Sequence, residues 1–125
     1  MRVIVAGGRD FYNVNFMFAE LDRLLSGSIK NGTPITIVSG GAKGADECGL
    51  WYANVRNLPT DIFHPDWSKH GKSAGILRNV DMAENADMLV AFWDMESSGT
   101  KHMIETARAK NLKVHIFYYH KDDSE

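Results

Sequence analysis

The residues best suited to chemistry gather in three glycine-bearing turns: Gly7-Gly8-Arg9-Asp10, Ser39-Gly40-Gly41-Ala42-Lys43-Gly44-Ala45-Asp46, and Ser97-Ser98-Gly99-Thr100. Each follows an apolar run, and the second and third open a helical pattern. The first turn of a helix leaves backbone N–H groups without an internal acceptor, and the helix dipole adds partial positive charge there. Such turns suit an anion. Three of them in one small chain point to a phosphorylated ligand.

Each feature also has a plainer reading. Gly40, Gly41 and Gly44 equally serve a tight turn and a close helix–strand contact. Their spacing matches neither G-x-G-x-x-G nor the P-loop, which disfavours a standard dinucleotide or triphosphate site. Asp46 in the first helical turn either complements the dipole or holds a ribose hydroxyl. Ser97, Ser98 and Thr100 are caps, or wrap a phosphate together with Gly99. Trp67, Phe92 and Trp93 are core residues or stacking faces for a base, with Phe92 the most core-like. Six of the fourteen Lys and Arg lie in these turns or just inside the following helices: Arg9, Lys43, Lys69, Lys72, Arg78 and Lys101. Collected at one rim, they suit a small anion, although loop lysines also simply prefer solvent. The five histidines lack ligand spacing, so no metal site is expected. Cys48, the only cysteine, sits on a buried helical face and reads as inert.

These turns need elements to position them. Val3–Ala6 is continuously apolar, as a strand buried on both faces is, Ile35-Thr36-Ile37-Val38 reads as a second buried strand, Met88–Trp93 is the strongest strand in the chain, and Asp61–Phe63 adds a short one. Leu112, Val114, Ile116 and Tyr118 alternate with other residues, which predicts an edge strand with one wetter face. Between the strands lie four helical patterns. The first carries Val14, Met17, Phe18, Leu21, Leu24 and Leu25, with Asn13 as N-cap and Gly27 as stop. The second presents Ala45, Cys48, Trp51, Tyr52 and Val55 inward and the third Ile76, Leu77, Val80 and Ala83, entered from a polar loop over His64–Lys72. The fourth carries Met103, Ile104 and Ala107. Alternating strands and helices predict an α/β fold: a Rossmann-like three-layer sandwich around a five-stranded parallel sheet. With strand order 3-2-1-4-5, the winding reverses between strands 1 and 4, and the three turns meet outside the carboxyl ends there.

The 125 residues suit one domain over residues 1–120, with Lys121–Glu125 a flexible tail. A net charge of −2, with 44% hydrophobic and 24% charged residues, is ordinary for a soluble protein and gives no pull toward nucleic acid or an acidic membrane. With no signal-like or membrane-length segment, a cytoplasmic location is the default expectation.

Four ordered segments carry a family resemblance: Val5–Phe11, Gly40–Asp46, Ala74-Gly75-Ile76-Leu77-Arg78-Asn79, and Phe92-Trp93 followed by Ser97–Thr100. Together they resemble the SLOG superfamily (Smf/DprA and LOG proteins), in particular its YspA-like branch of small bacterial and phage proteins. The resemblance implies a Rossmann-like fold and a nucleotide-derived ligand that is sensed, sequestered or processed, often in conflict between phage and host. It implies no cofactor. LOG relatives commonly form dimers, so a homo-oligomer is also implied.

LOG-type phosphoribohydrolases split the N-glycosidic bond of nucleoside monophosphates. Their Arg four residues before a Met is matched by Arg78 and Met82, and Gly99 and Thr100 match part of their P-G-G-x-G-T-x-x-E element. Met95, Glu96 and Ser97 replace P-G-G, and the family's catalytic Glu falls on Met103, with Glu105 on a different side of the helix.

One expectation is therefore a binding protein. The helix openings at Gly44 and Gly99 take phosphate, Arg9 and Arg78 supply charge, Asp10 or Asp46 holds a ribose, and Trp67 or Trp93 stacks on the base. The alternative is a hydrolase of such a ligand, with Arg78, Asp10 and Glu96 as catalytic candidates beside Asp46 and Asp94. Single-stranded nucleic-acid binding, suggested by DprA relatives, is disfavoured by the net charge and the lack of a basic stripe.

Overall fold

The computed structural model describes residues 1–120; the expected tail, 121–125, lies outside them. Its five strands are β1 (Arg2–Gly7), β2 (Thr36–Ser39), β3 (Thr60–Ile62), β4 (Met88–Trp93) and β5 (Lys113–Tyr118). They form one sheet in the order β3-β2-β1-β4-β5, every pair parallel. Between them run α1 (Val14–Lys30), α2 (Ala45–Val55), the one-turn helix α3 (Trp67–His70), α4 (Ala74–Glu84) and α5 (Ser98–Ala109). This is the predicted Rossmann-like arrangement. Among the described residues, no helix is long and apolar enough to cross a membrane.

The pleat of β1 explains why the sandwich has two cores. Val3 and Val5 point to one face, where they join Met17 and Leu21 of α1 and Cys48 and Tyr52 of α2. Ile4 and Ala6 point to the other, among Met82 and Ala83 of α4 and Met103, Ile104 and Ala107 of α5. Strands clothed on both sides are apolar at consecutive positions, which is why Val3–Ala6 of β1 and the whole of β4 read as unbroken runs, while β2 sets Ile37 and Val38 between Thr36 and Ser39. Pairing of β1 with both β2 and β4 puts the reversal of winding between β1 and β4. Their carboxyl ends therefore splay into a crevice.

Several local expectations are corrected. Asn13 does cap α1, accepting from the Phe16 amide at 3.2 Å, but the helix passes through Gly27 and leaves at Asn31 and Gly32, where φ is +76°. A solvent-facing glycine in a helix costs only about 1 kcal/mol, too little to stop it. In α2, Trp51 and Val55 are exposed, and the inner stripe is instead Ala45, Cys48, Gly49, Tyr52 and Ala53. Close approach decides this: a Cβ on Gly49 would stand 2.8 Å from Val5.

In α4, Ile76 and Leu77 face outward while Ala74, Asn79, Met82 and Ala83 are buried. The His64–Lys72 stretch is not simply loop: Asp66 caps α3 through the Lys69 amide, and a 3₁₀ turn, Gly71–Ser73, leads into α4. β5 is the expected edge, yet its supposedly wetter face carries Phe117, whose ring stacks on Phe92 at 5.4 Å.

Candidate functional site

At the crevice between β1 and β4 lies a cleft of about 460 Å³. Its floor is made by Gly7 and Asp46, and its walls by Arg9, Arg78, Asn79 and the α5 opening Ser97–Thr100. Trp67, Lys72, Gly75 and Ile76 close the α3–α4 side. A smaller adjoining hollow of about 340 Å³ is bounded by Gly8, Asp10, Asp94 and Glu96, with Arg9 and Ser97 shared between the two.

The glycines of the first two turns are there for packing. Gly8 donates to the Phe92 carbonyl, and its own carbonyl accepts from the amides of Phe11 and Ala45. Gly44, at φ +82°, lies against this turn so closely that a Cβ would be 2.2 Å from the Gly8 carbonyl oxygen. The amides expected to cradle phosphate at α2 are consequently engaged. Ala45 N–H goes to Gly8 O at 3.0 Å and Gly44 N–H to the Tyr12 hydroxyl at 3.1 Å. Gly41 N–H goes to Ser39 Oγ, and Ala42 N–H to the Asp46 carboxylate. The helix opening at Gly44 therefore offers an anion fewer donors than expected, since the amides of Gly41, Ala42, Gly44 and Ala45 already have acceptors within the chain.

The α5 opening is arranged differently. Asp94 Oδ1 takes the amides of Glu96 and Ser97, folding the turn back on itself. Ser97 Oγ caps the Thr100 amide at 3.3 Å, and Trp93 Nε1 donates to the Ser97 carbonyl. Among the described residues the Ser98 and Gly99 amides find no acceptor, and they stand at the cleft wall, where Ser98 and Gly99 are exposed. A Cβ on Gly99 would meet nothing within 4 Å. This helix start keeps donors of the kind an anion requires.

Arg78 is the hub of the opposite wall. One Nη donates to the Gly40 carbonyl at 2.8 Å and Nε to Asn79 Oδ1 at 3.1 Å, fixing the guanidinium. Gly40 makes room for it, since a Cβ there would lie 2.3 Å from Arg78 Nη1. Asn79 is buried and extends the chain of contacts to His102 Nδ1 at 3.1 Å and the Gly99 carbonyl at 3.4 Å. The α4 and α5 walls are thus tied together through one amide.

Asp46 is buried at 6% exposure beside this arginine. Burial pushes its carboxyl up to about 6, against the opposing pull of Arg78, the amides of Ala42 and Gly7, and Arg9. Burial likewise draws the Arg78 guanidinium below its ordinary value, with Arg9 adding to the effect and Asp46 opposing it. Removing a charged group from water disfavours its ionised form, whichever sign it carries.

Of the residues singled out from sequence, the cleft gathers Gly7, Arg9, Asp46, Trp67, Lys72, Arg78, Asn79 and Ser97–Thr100. It does not gather Gly8, Asp10, Gly40, Gly41, Lys43, Gly44, Lys69, Trp93, Glu96 or Lys101. Arg78 therefore lines a different hollow from Asp10 and Glu96, the other two catalytic candidates. Asp10 accepts from the Tyr119 hydroxyl at 2.6 Å. Gly41, at φ +72°, packs by Ile62 and His64, and Trp93 braces the β4–α5 turn.

Sequence reasoning overlooked Ile76 and His102 as walls and Tyr119 as the support beneath Gly8. The position of His102, one turn into the helix opened by Gly99, was the available signal for it. Met103, at the position of the LOG glutamate, lines the cleft with an apolar side chain. Cys48 is buried and its thiol is pushed up to about 11 by burial, which makes it a packing residue. Among the described residues, no group of three or more His, Cys, Asp or Glu is placed to hold a metal ion.

No solved structure matches this chain. The Gene 61 protein of Mycobacterium phage D29 is 31% identical over 119 residues, covering 90% of this chain and 93% of the relative. A family model described as YspA, cpYpsA-related SLOG family (YAcAr) matches residues 1–70, the stretch holding both packed glycine turns and Asp46. The chain therefore belongs to this SLOG family, a membership that suggests a role in binding or processing nucleotide-related ligands.

Proposed function

We propose that the larger cleft binds a nucleotide or nucleotide-derived phosphorylated ligand. The observation that carries this reading is the pairing, across one cleft, of two helix-start amides that have no acceptor among the described residues with a fixed guanidinium and two further cations. Ser98 and Gly99 present the amides, Arg78 is held in place by Gly40, and Arg9 and Lys72 add charge at the walls. Phosphate oxygens take amide N–H groups and guanidinium together. Trp67, 55% exposed at the rim, offers a face for a base. Asp46 lies where a ribose hydroxyl has a carboxyl to meet.

Calorimetric titration with nucleoside monophosphates, ADP-ribose and cyclic nucleotides tests the reading. At least one is expected to bind, and Arg78→Ala is expected to weaken that ligand roughly 10–100-fold, as loss of a charge-assisted contact does. Silence across the panel at high micromolar concentration defeats the proposal.

A second reading, hydrolysis of the same ligand class, is favoured by one observation: a buried carboxyl shifted to about 6 faces the cleft. Chromatography for free base or ribose phosphate separates this reading from binding alone.

A further inference from the structure

The hydrogen bonds of Asn79 fix which way its amide points. Arg78 Nε can only donate and lies 3.1 Å from Oδ1, whereas the Gly99 carbonyl can only accept and lies 3.4 Å from Nδ2. Turning the amide over would set donor against donor and acceptor against acceptor. With that orientation settled, the second N–H of Nδ2 meets His102 Nδ1 at 3.1 Å, so this ring nitrogen must accept. The ring proton therefore belongs on Nε2, which faces Thr106 Oγ1 at 3.4 Å.

From this arrangement we propose that Asn79 is a positioning residue of the phosphate site, locked in place by His102, and not a ligand contact. The inference rests on the binding reading above and says what holds its donors in register. Both N–H groups of the Asn79 amide are committed within the chain, which leaves it no donor for a phosphate oxygen. Its service is spacing. On one side it takes Arg78 Nε while the Gly40 carbonyl takes Nη1, so the guanidinium is held at two points. Nη2 has no hydrogen-bond partner among the described residues, and a ligand can use it.

On the other side it pins Gly99, which needs a pin. A Cβ there would meet nothing within 4 Å, so no packing restrains the residue that offers one of the two open amides. Gly99 and His102 lie one helical turn apart, so the Asn79 amide grips α5 twice and sets its start against the guanidinium. Asn79 itself is buried, where water competes little for these bonds. Donors held before a ligand arrives spare the cost of ordering them on binding.

Two measurements on the full chain test this. In the ligand-free protein at about pH 8, the nitrogen NMR spectrum of the imidazoles reads the ring protons directly. The His102 signals are assigned by their loss in His102→Asn. Wild type is expected to carry the His102 proton on Nε2 with Nδ1 bare; a proton on Nδ1 overturns the inference. The second measurement is calorimetry with nucleoside monophosphates, ADP-ribose and cyclic nucleotides, followed in each variant for the compound that wild type binds most tightly. Asn79→Ala is expected to weaken it about tenfold. His102→Leu, which removes the acceptor, is expected to weaken it about threefold or more. His102→Asn, whose Oδ1 stands where Nδ1 stood, is expected to recover most of that loss. Should Asn79→Ala not fold, the two His102 variants carry the test. Wild-type affinity in Asn79→Ala, or equal losses in the two His102 variants, overturns the positioning role and leaves the binding reading standing. Absence of wild-type binding across the panel removes both.

Discussion

The β2–α2 and β4–α5 turns resemble each other in sequence, each leading from a buried strand through glycine into a helix, and the fold uses them in opposite ways. At β2–α2 the amides of Gly41, Ala42, Gly44 and Ala45 all have acceptors within the chain, and Gly44 wedges against Gly8. At β4–α5 the serine cap and the Asp94 turn satisfy their neighbours, while Ser98 and Gly99 remain available to a ligand. Glycine in the first turn answers a demand for proximity of backbone to backbone. In the second it meets no atom at all. Glycine content therefore does not by itself mark a binding turn, whereas unsatisfied donors mark where something else can bind.

That contrast is broken most directly at Gly44. Replacing Gly44 with Ala puts a Cβ 2.2 Å from the Gly8 carbonyl oxygen at a φ that L residues avoid. The expected loss is about 3 kcal/mol or more, read as a lowered urea midpoint at unchanged slope. A midpoint like that of wild type means the turns are not wedged together as described.

Titration sharpens the comparison, because only the β2–α2 turn encloses a buried carboxyl. Asp46 titrates near 3.8 when unfolded and at about 6 when folded, so the native state binds the extra proton between those values. The stabilisation is full below about pH 4 and is lost as pH rises through about 6, a decline of roughly 3 kcal/mol at most. Urea unfolding at a series of pH values should show this decline in wild type. It should be absent from Asp46→Asn; equal slopes in the two proteins contradict the burial argument.

At the β4–α5 turn the expected effects are smaller. Ser97→Ala removes the cap on the Thr100 amide and should cost about 1 kcal/mol by the same assay. Gly99→Ala adds a methyl to open space in a helical first turn and should raise stability by about 0.5–1 kcal/mol. A large loss at Gly99 would place it in the same class as Gly44.

Fold class and strand order were legible because their signals are local. Apolar runs of the right length, separated by helical periods, admit few arrangements once parallel pairing is required. The faces of α2 and α4 were less legible, since Gly49 and Ala53 pack by being small and Asn79 by reaching polar partners, neither of which a hydrophobic stripe records. The site was legible as a neighbourhood. Arg9, Arg78 and Ser97–Thr100 do converge, whereas Asp10 and Glu96 line the adjoining hollow, which shares only Arg9 and Ser97 with the cleft.

By itself the sequence determined the alternation of strands and helices, the position of the crevice and the identity of the groups near it. Periodicity and turn chemistry act over a few residues, so they can be read directly from the chain. Only the tertiary structure decided which helix start stays open and which carboxyl is dry enough to hold a proton. The acceptors of the Ala45 and Gly44 amides, Gly8 O and Tyr12 Oη, come from more than thirty residues away, and the charge that faces buried Asp46 comes from Arg78 of α4. Satisfaction and desolvation are sums over spatial neighbours, and those neighbours exist only once the chain has folded.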